Sequence, residues 1–151
     1  MGKYTEEFYS IKLGKTEFND RLACLGQQLE KILICIYEID SDLKWLVFDV
    51  EGTTRDSENS LFTNETEIKI ENTQQLIKVV NKVIQFERGV FIGIKKNTTV
   101  CYKIDSLPTT EEQEGMQIID SEIEIRAFDC LCFEIYCKSK IMYERIKKLC
   151  Q

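Results

Sequence analysis

The sequence has no histidine among its 151 residues and only one proline. Histidine is the usual general base near neutral pH and a common ligand of first-row metals. Its absence excludes Ser-His-Asp and Cys-His catalysis, HExxH zinc sites and two-His-one-carboxylate iron sites. The scarcity of proline, with 43% hydrophobic residues, argues against disorder. No run approaches the roughly 18–20 apolar residues needed to span a bilayer. The most apolar stretch, Ile32–Ile39, is short and interrupted by Glu38. The opening residues, Met1-Gly2-Lys3-Tyr4-Thr5-Glu6-Glu7, have no apolar core of a signal peptide, so a cytoplasmic location is expected.

Acidic residues are abundant: 26 Asp and Glu against 20 Lys and Arg, a net charge of −6. Such a chain repels nucleic acid and anionic membrane on average, and its natural partner is a basic surface. Seven cysteines, Cys24, Cys35, Cys101, Cys130, Cys132, Cys137 and Cys150, include no CxxC pair. The odd count and the spacing support neither a disulfide framework nor a zinc ribbon. In a reducing compartment they read as small core residues.

Chain length fits a single globular domain spanning 1–151. Alternation predicts a strand over Phe8–Leu13, and Thr16 is placed to cap a helix over about 16–31. Ile32–Ile39 and Leu43–Val50 read as two strands turning at Asp40-Ser41-Asp42, although periodicity alone also permits the helix to run on into the first of them. Glu51–Ser60 is a polar loop, and a strand follows over about 62–70. Asn72 with Gln75 forms a capping box for a helix carrying Leu76, Val79, Val80, Val83 and Ile84 to about Phe86. Val90–Lys95 and Thr99–Ile104 suggest a hairpin. Strands over Glu122–Phe128 and Leu131–Cys137 turn at Asp129-Cys130, and Ser139 caps a last helix, Lys140–Cys150. Strands in consecutive pairs imply an α+β fold, a mainly antiparallel sheet of about six to eight strands with three helices packed against it.

The strongest functional signal is the segment from Asp105 to Glu124. It carries Asp105, Glu111, Glu112, Glu114, Asp120, Glu122 and Glu124 with no Lys or Arg between Lys103 and Arg126. Such a field steers and pairs with a basic partner, and it imitates the phosphates a nuclease would bind. The plainer reading is a solvated loop of an acidic protein. Trp45, in Lys44-Trp45-Leu46-Val47-Phe48, is a core residue or, on an outer sheet face, the aromatic anchor of a partner surface. No EF-hand spacing occurs, so no metal or other cofactor is expected.

These features favour a non-catalytic, cytoplasmic protein-binding module, an inhibitor or immunity-type protein that neutralises a basic toxin or nuclease. Glu111, Glu112, Glu114, Asp120, Glu122, Glu124 and Trp45 are its candidate docking residues, and neither nucleic acid nor membrane is an expected partner. The Ile-, Lys-, Asn- and Glu-rich composition suits a bacterial origin. A small-ligand or sensory domain is the alternative reading, and a carboxylate- or metal-dependent hydrolase the third.

Overall fold

A computed structural model describes residues 7–54, 67–102, 106–112 and 114–150. Strands β1 (Tyr9–Gly14), β2 (Leu43–Thr54), β3 (Ile68–Ile70), β4 (Val83–Lys95), β5 (Ile123–Phe128) and β6 (Cys132–Cys137) form one sheet in the order β1-β6-β5-β4-β2-β3. Every neighbouring pair is antiparallel. Helices α1 (Lys15–Phe18), α2 (Gly26–Ile39), α3 (Thr73–Val80) and α4 (Lys140–Lys148) complete the α+β fold. There are thus four helices among the described residues where three were expected.

Strand alternation sorts the sheet into two faces. Leu43, Trp45, Val47, Phe91, Ile123, Ile125, Ala127, Phe133, Ile135 and Cys137 join Leu29, Ile32, Leu33 and Ile36 of α2, Leu76 and Val80 of α3, and Met142 and Ile146 of α4 in the main core. Their neighbours along the strands, Leu46, Phe48, Val90, Ile92 and Ile94, form a second core on the opposite face, with Ile118 and the half-buried Val100, Tyr102 and Leu107. Both faces of the central strands are therefore covered. No helix among the described residues is long and apolar enough to cross a membrane.

Ile32–Ile39 is helix, not strand. Leu29, Ile32, Leu33 and Ile36 are all buried at i, i+3, i+4 and i+7, so the helical period decides a run that looks continuous in sequence. The expected helix over 16–31 is correspondingly broken. The short α1 ends at Asn19, which is left-handed at φ 50°, and the chain dips into the core at Ala23 and Cys24. There Phe86 N donates to Cys24 O at 2.7 Å and Gln85 Nε2 to Ala23 O at 3.0 Å, so backbone pairing with β4 replaces helix. The helix capped by Asn72 stops at Val80, because Asn81 and Lys82 turn the chain and Val83 opens the long β4. Its cap is as expected, Gln75 N donating to Asn72 Oδ1 at 2.9 Å, but Gln75 Oε1 accepts from Glu71 N instead of closing the box on Asn72.

The hairpin expected after Val90 is not formed among the described residues. β4 is already bonded on both edges, to β2 and β5, so Thr99–Tyr102 lies outside the sheet and lends Val100 and Tyr102 to the second core. β2 continues through Thr54 where a loop was expected from Glu51, bulging at Asp49, whose φ is 50°. The rest of that loop, most of the strand expected at 62–70 and Ile104 lie outside the described residues. The Asp129-Cys130 turn and the Ser139 cap are present, both turn residues left-handed and Met142 N donating to Ser139 Oγ at 3.2 Å.

Gly26 is the tightest of the described glycines. A Cβ there would lie 2.0 Å from Val83 O and 2.3 Å from Val80 O, both backbone atoms that cannot rotate away. Gly26→Ala is therefore expected to cost about 3 kcal/mol by overpacking, read as a lowered urea midpoint. A midpoint within experimental error of the parent would show that α2 does not seat this closely on the α3–β4 turn.

Candidate functional site: an acidic strap on the sheet

Residues 106–112 and 114–122 cross the second face of the sheet as a strap, and the sheet supplies its fastenings. At its start, Asp49 in the β2 bulge accepts from Thr110 N at 3.0 Å, and Thr110 Oγ1 accepts from Gly89 N at 3.1 Å. In the middle, Arg126 of β5 reaches up from the sheet. Its Nε donates to Glu124 Oε2 at 2.6 Å, Nη1 to Glu112 O at 2.9 Å and Nη2 to Gly115 O at 2.5 Å. The guanidinium carbon sits 4.7 Å from the centre of the Tyr136 ring, a cation–π contact.

Glu124 takes the other half of the load. Gln117 donates to it twice, from N to Oε1 and from Nε2 to Oε2, each at 2.8 Å. The same Gln117 amide exchanges two 2.9 Å hydrogen bonds with the Thr109 backbone, tying the start of the strap to its middle. Ile118 plugs the second core, and Lys138 Nζ donates to Ile119 O at 2.6 Å. Glu124 and Arg126 are i, i+2 on one strand, so they share a face, and both side chains are fully buried.

Two of the residues expected to dock a partner are thus interior. Glu124 is spent holding the strap. Trp45 is fully buried on the helical face, where Nε1 donates to Thr73 Oγ1 at 2.9 Å and Gly93 on β4 leaves room for the indole. A Cβ on Gly93 would approach the Trp45 ring to 3.1 Å. Neither residue reaches an external surface. Glu111, Glu112, Glu114 and Asp120 are exposed and Glu122 half-exposed. No Lys or Arg among the described residues lies within 4.0 Å of the carboxylates of Glu111, Glu114 or Asp120. Asp105 lies outside the described residues.

The other chemical groups offer little reactivity. Burial, reinforced by the neighbouring Cys132, pushes the Cys24 thiol up to about 12, and burial alone does the same for Cys137. A thiol so shifted is a poor nucleophile at neutral pH. Tyr136 is likewise raised to about 12, by burial and then by Glu134. Among the described residues no three Cys, Asp or Glu side chains are grouped so that they could hold a metal ion. No family model, curated protein or solved structure matches the chain, so function has to be argued from these residues.

Removing one partner of a buried ion pair strands the other charge, at a cost of about 3–5 kcal/mol. Arg126→Met is expected to lose that much stability and to open the strap to protease at 106–121. Arg126→Met with Glu124→Gln should recover part of the loss. A double-variant loss equal to the sum of the two single-variant losses, measured by urea unfolding, would show that the pair is not coupled.

The shifted groups also set an alkaline limit. Unfolded, the thiols and the phenol ionise near 9.0 and 10.0; folded, Cys24, Cys137 and Tyr136 keep their protons to about 12. The unfolded state therefore binds fewer protons between those values, and stability, complete below pH 9, falls as pH climbs toward 12. Urea midpoints at a series of pH values from 8 upward should decline, and Ellman's reagent should modify exposed Cys101 long before Cys24 or Cys137. Rapid modification of all three thiols in the native protein would contradict the burial.

Proposed function

We propose that the protein is a non-catalytic binding module that neutralises a basic protein partner, a toxin or nuclease, by docking it on the acidic strap. The observation that carries this reading is the fastening of the strap to the sheet on both sides of its carboxylates. Glu111, Glu112 and Glu114 stand outward between the Thr110 and Gln117 anchors, and Asp120 follows at the Lys138 end. A surface ordered before binding loses less entropy when it engages a partner than a mobile acidic loop does. The field of these carboxylates speeds the approach of a cationic protein, and the rate falls as salt is added. In this reading the chain works in the cytosol, where its seven thiols stay reduced.

The test is to capture partners from host lysate on the protein and on a Glu111→Lys, Glu112→Lys, Glu114→Lys variant. These three side chains are exposed, so the variant should keep the parent's melting temperature. A stoichiometric basic protein retained by the parent, associating at least about tenfold more slowly with the variant in low salt, is the expected result. Equal association rates for both would reject the strap as the docking surface.

A further inference from the structure

The second face carries another feature at its far edge, remote in charge character from the strap. A groove of about 480 Å³ opens between β2, edge strand β3 and the segment that follows β4. Its apolar lining is the half-buried Val100 and Tyr102, backed by the buried Leu46 and Ile94, and Lys44, Lys69 and Lys96 stand round it with one acidic residue, Glu71. The volume falls within the range of small-molecule sites, about 300–1,000 Å³, and the lining is divided between apolar and polar or charged side chains.

The side chains that shape the groove are held. Tyr102 packs edge-on against Phe48, with ring centres 5.6 Å apart, and its hydroxyl is hydrogen-bonded to Glu67. Leu46 and Lys69 are register partners across β2 and β3, which sets that lysine beside the apolar wall. Lys69 lies 3.5 Å from Glu67. Lys44 and Lys96 have no carboxylate within 4.0 Å among the described residues. Three ammonium groups against one lining carboxylate is an inverted balance in a chain of net charge −6.

From the joint presence of a part-apolar groove and two lining ammonium groups, Lys44 and Lys96, with no carboxylate within 4.0 Å among the described residues, we infer that this groove binds a small amphipathic organic anion. The apolar body lies along Leu46, Val100 and the Tyr102 ring, and the carboxylate, sulfonate or phosphate meets Lys44 and Lys96. A purely apolar ligand would leave the lysines unused. An inorganic anion would leave the exposed parts of Val100 and Tyr102 in water. Only a molecule with both parts satisfies both sets of groups. The inference does not rest on the strap or its partner.

The probe is 8-anilinonaphthalene-1-sulfonate, titrated into the folded protein and followed by fluorescence and calorimetry. Saturable binding at one site per chain is expected. It should weaken at least tenfold in Lys44→Glu with Lys96→Glu, and to a similar extent for the parent protein when the probe is N-phenyl-1-naphthylamine, which keeps the rings and lacks the sulfonate. Val100→Trp, which fills the groove, gives a variant that does not depend on charge and should also abolish binding. Thermal melts of each variant identify any that fail to fold. A smaller crevice of about 330 Å³, lined by Lys31, Ile34, Arg145 and Lys148, serves as the control. Binding lost in Lys31→Glu with Lys148→Glu but kept in the Lys44 and Lys96 variant would overturn the assignment. So would equal affinity for the uncharged probe, or no saturable binding at all.

Discussion

A guanidinium and a carboxylate sealed from water, Arg126 against Glu124, are the constraint on which the second face of this protein depends. Taking two ions out of water costs several kcal/mol each, and their attraction offsets this only when their remaining hydrogen-bonding capacity is also met. Here it is met largely by the strap. Glu112 and Gly115 supply carbonyls to the arginine, and Gln117 supplies two donors to the glutamate. Strap and pair are therefore mutually necessary: peeling the strap away would leave two half-solvated charges above an apolar sheet. Ile118, buried beside Leu46 and Phe48, adds an apolar contribution to the same closure.

The closure also separates charge. Strand β5 and its strap bring carboxylates to one side of the second face, whereas β2 and β3 bring lysines to the other. One sheet face thus presents two regions of opposite sign, each backed by buried apolar side chains. Net charge alone does not describe both regions. It fits the strap and misses the groove.

Much of the fold was legible because it is written in local chemistry. Asn72 and Ser139 cap the helices they were expected to cap, and the turn between β5 and β6 falls at Asp129-Cys130. Misreadings cluster where one apolar pattern serves two periods. Val83 continues the stripe of α3 but belongs to β4, and Ile32–Ile39 reads as strand until its burial follows a helical repeat. The acidic segment was legible by composition, but its anchoring was not. Arg126 grips it mainly through backbone carbonyls of Glu112 and Gly115, and a carbonyl leaves no mark on residue type. The Glu124–Arg126 spacing was visible, yet only the sheet shows that this face of β5 is covered. Of the two readings of Trp45 the core one holds, and what the sequence left unmarked is its hydroxyl partner, Thr73 on α3, well separated in sequence. The groove draws its lysines from three separate segments, so no single stretch announces it.

The position of β1 has a consequence for how the chain reaches this state. Tyr9 pairs with Cys137 and Gly14 with Cys132, so the first strand waits for the last one before it has any neighbour. During synthesis β2 and β4 can pair with each other early under α2 and α3, but β5 and the strap with Ile118 are still missing, and with them the cover over Leu46, Phe48, Val90 and Ile92. Such distant pairing is slow to nucleate, because loop closure is paid before the contacts form. The nascent chain therefore carries one uncovered apolar sheet face until the strap and β5 have been made, and such transiently exposed surface is what chaperones attend and what aggregates when they do not.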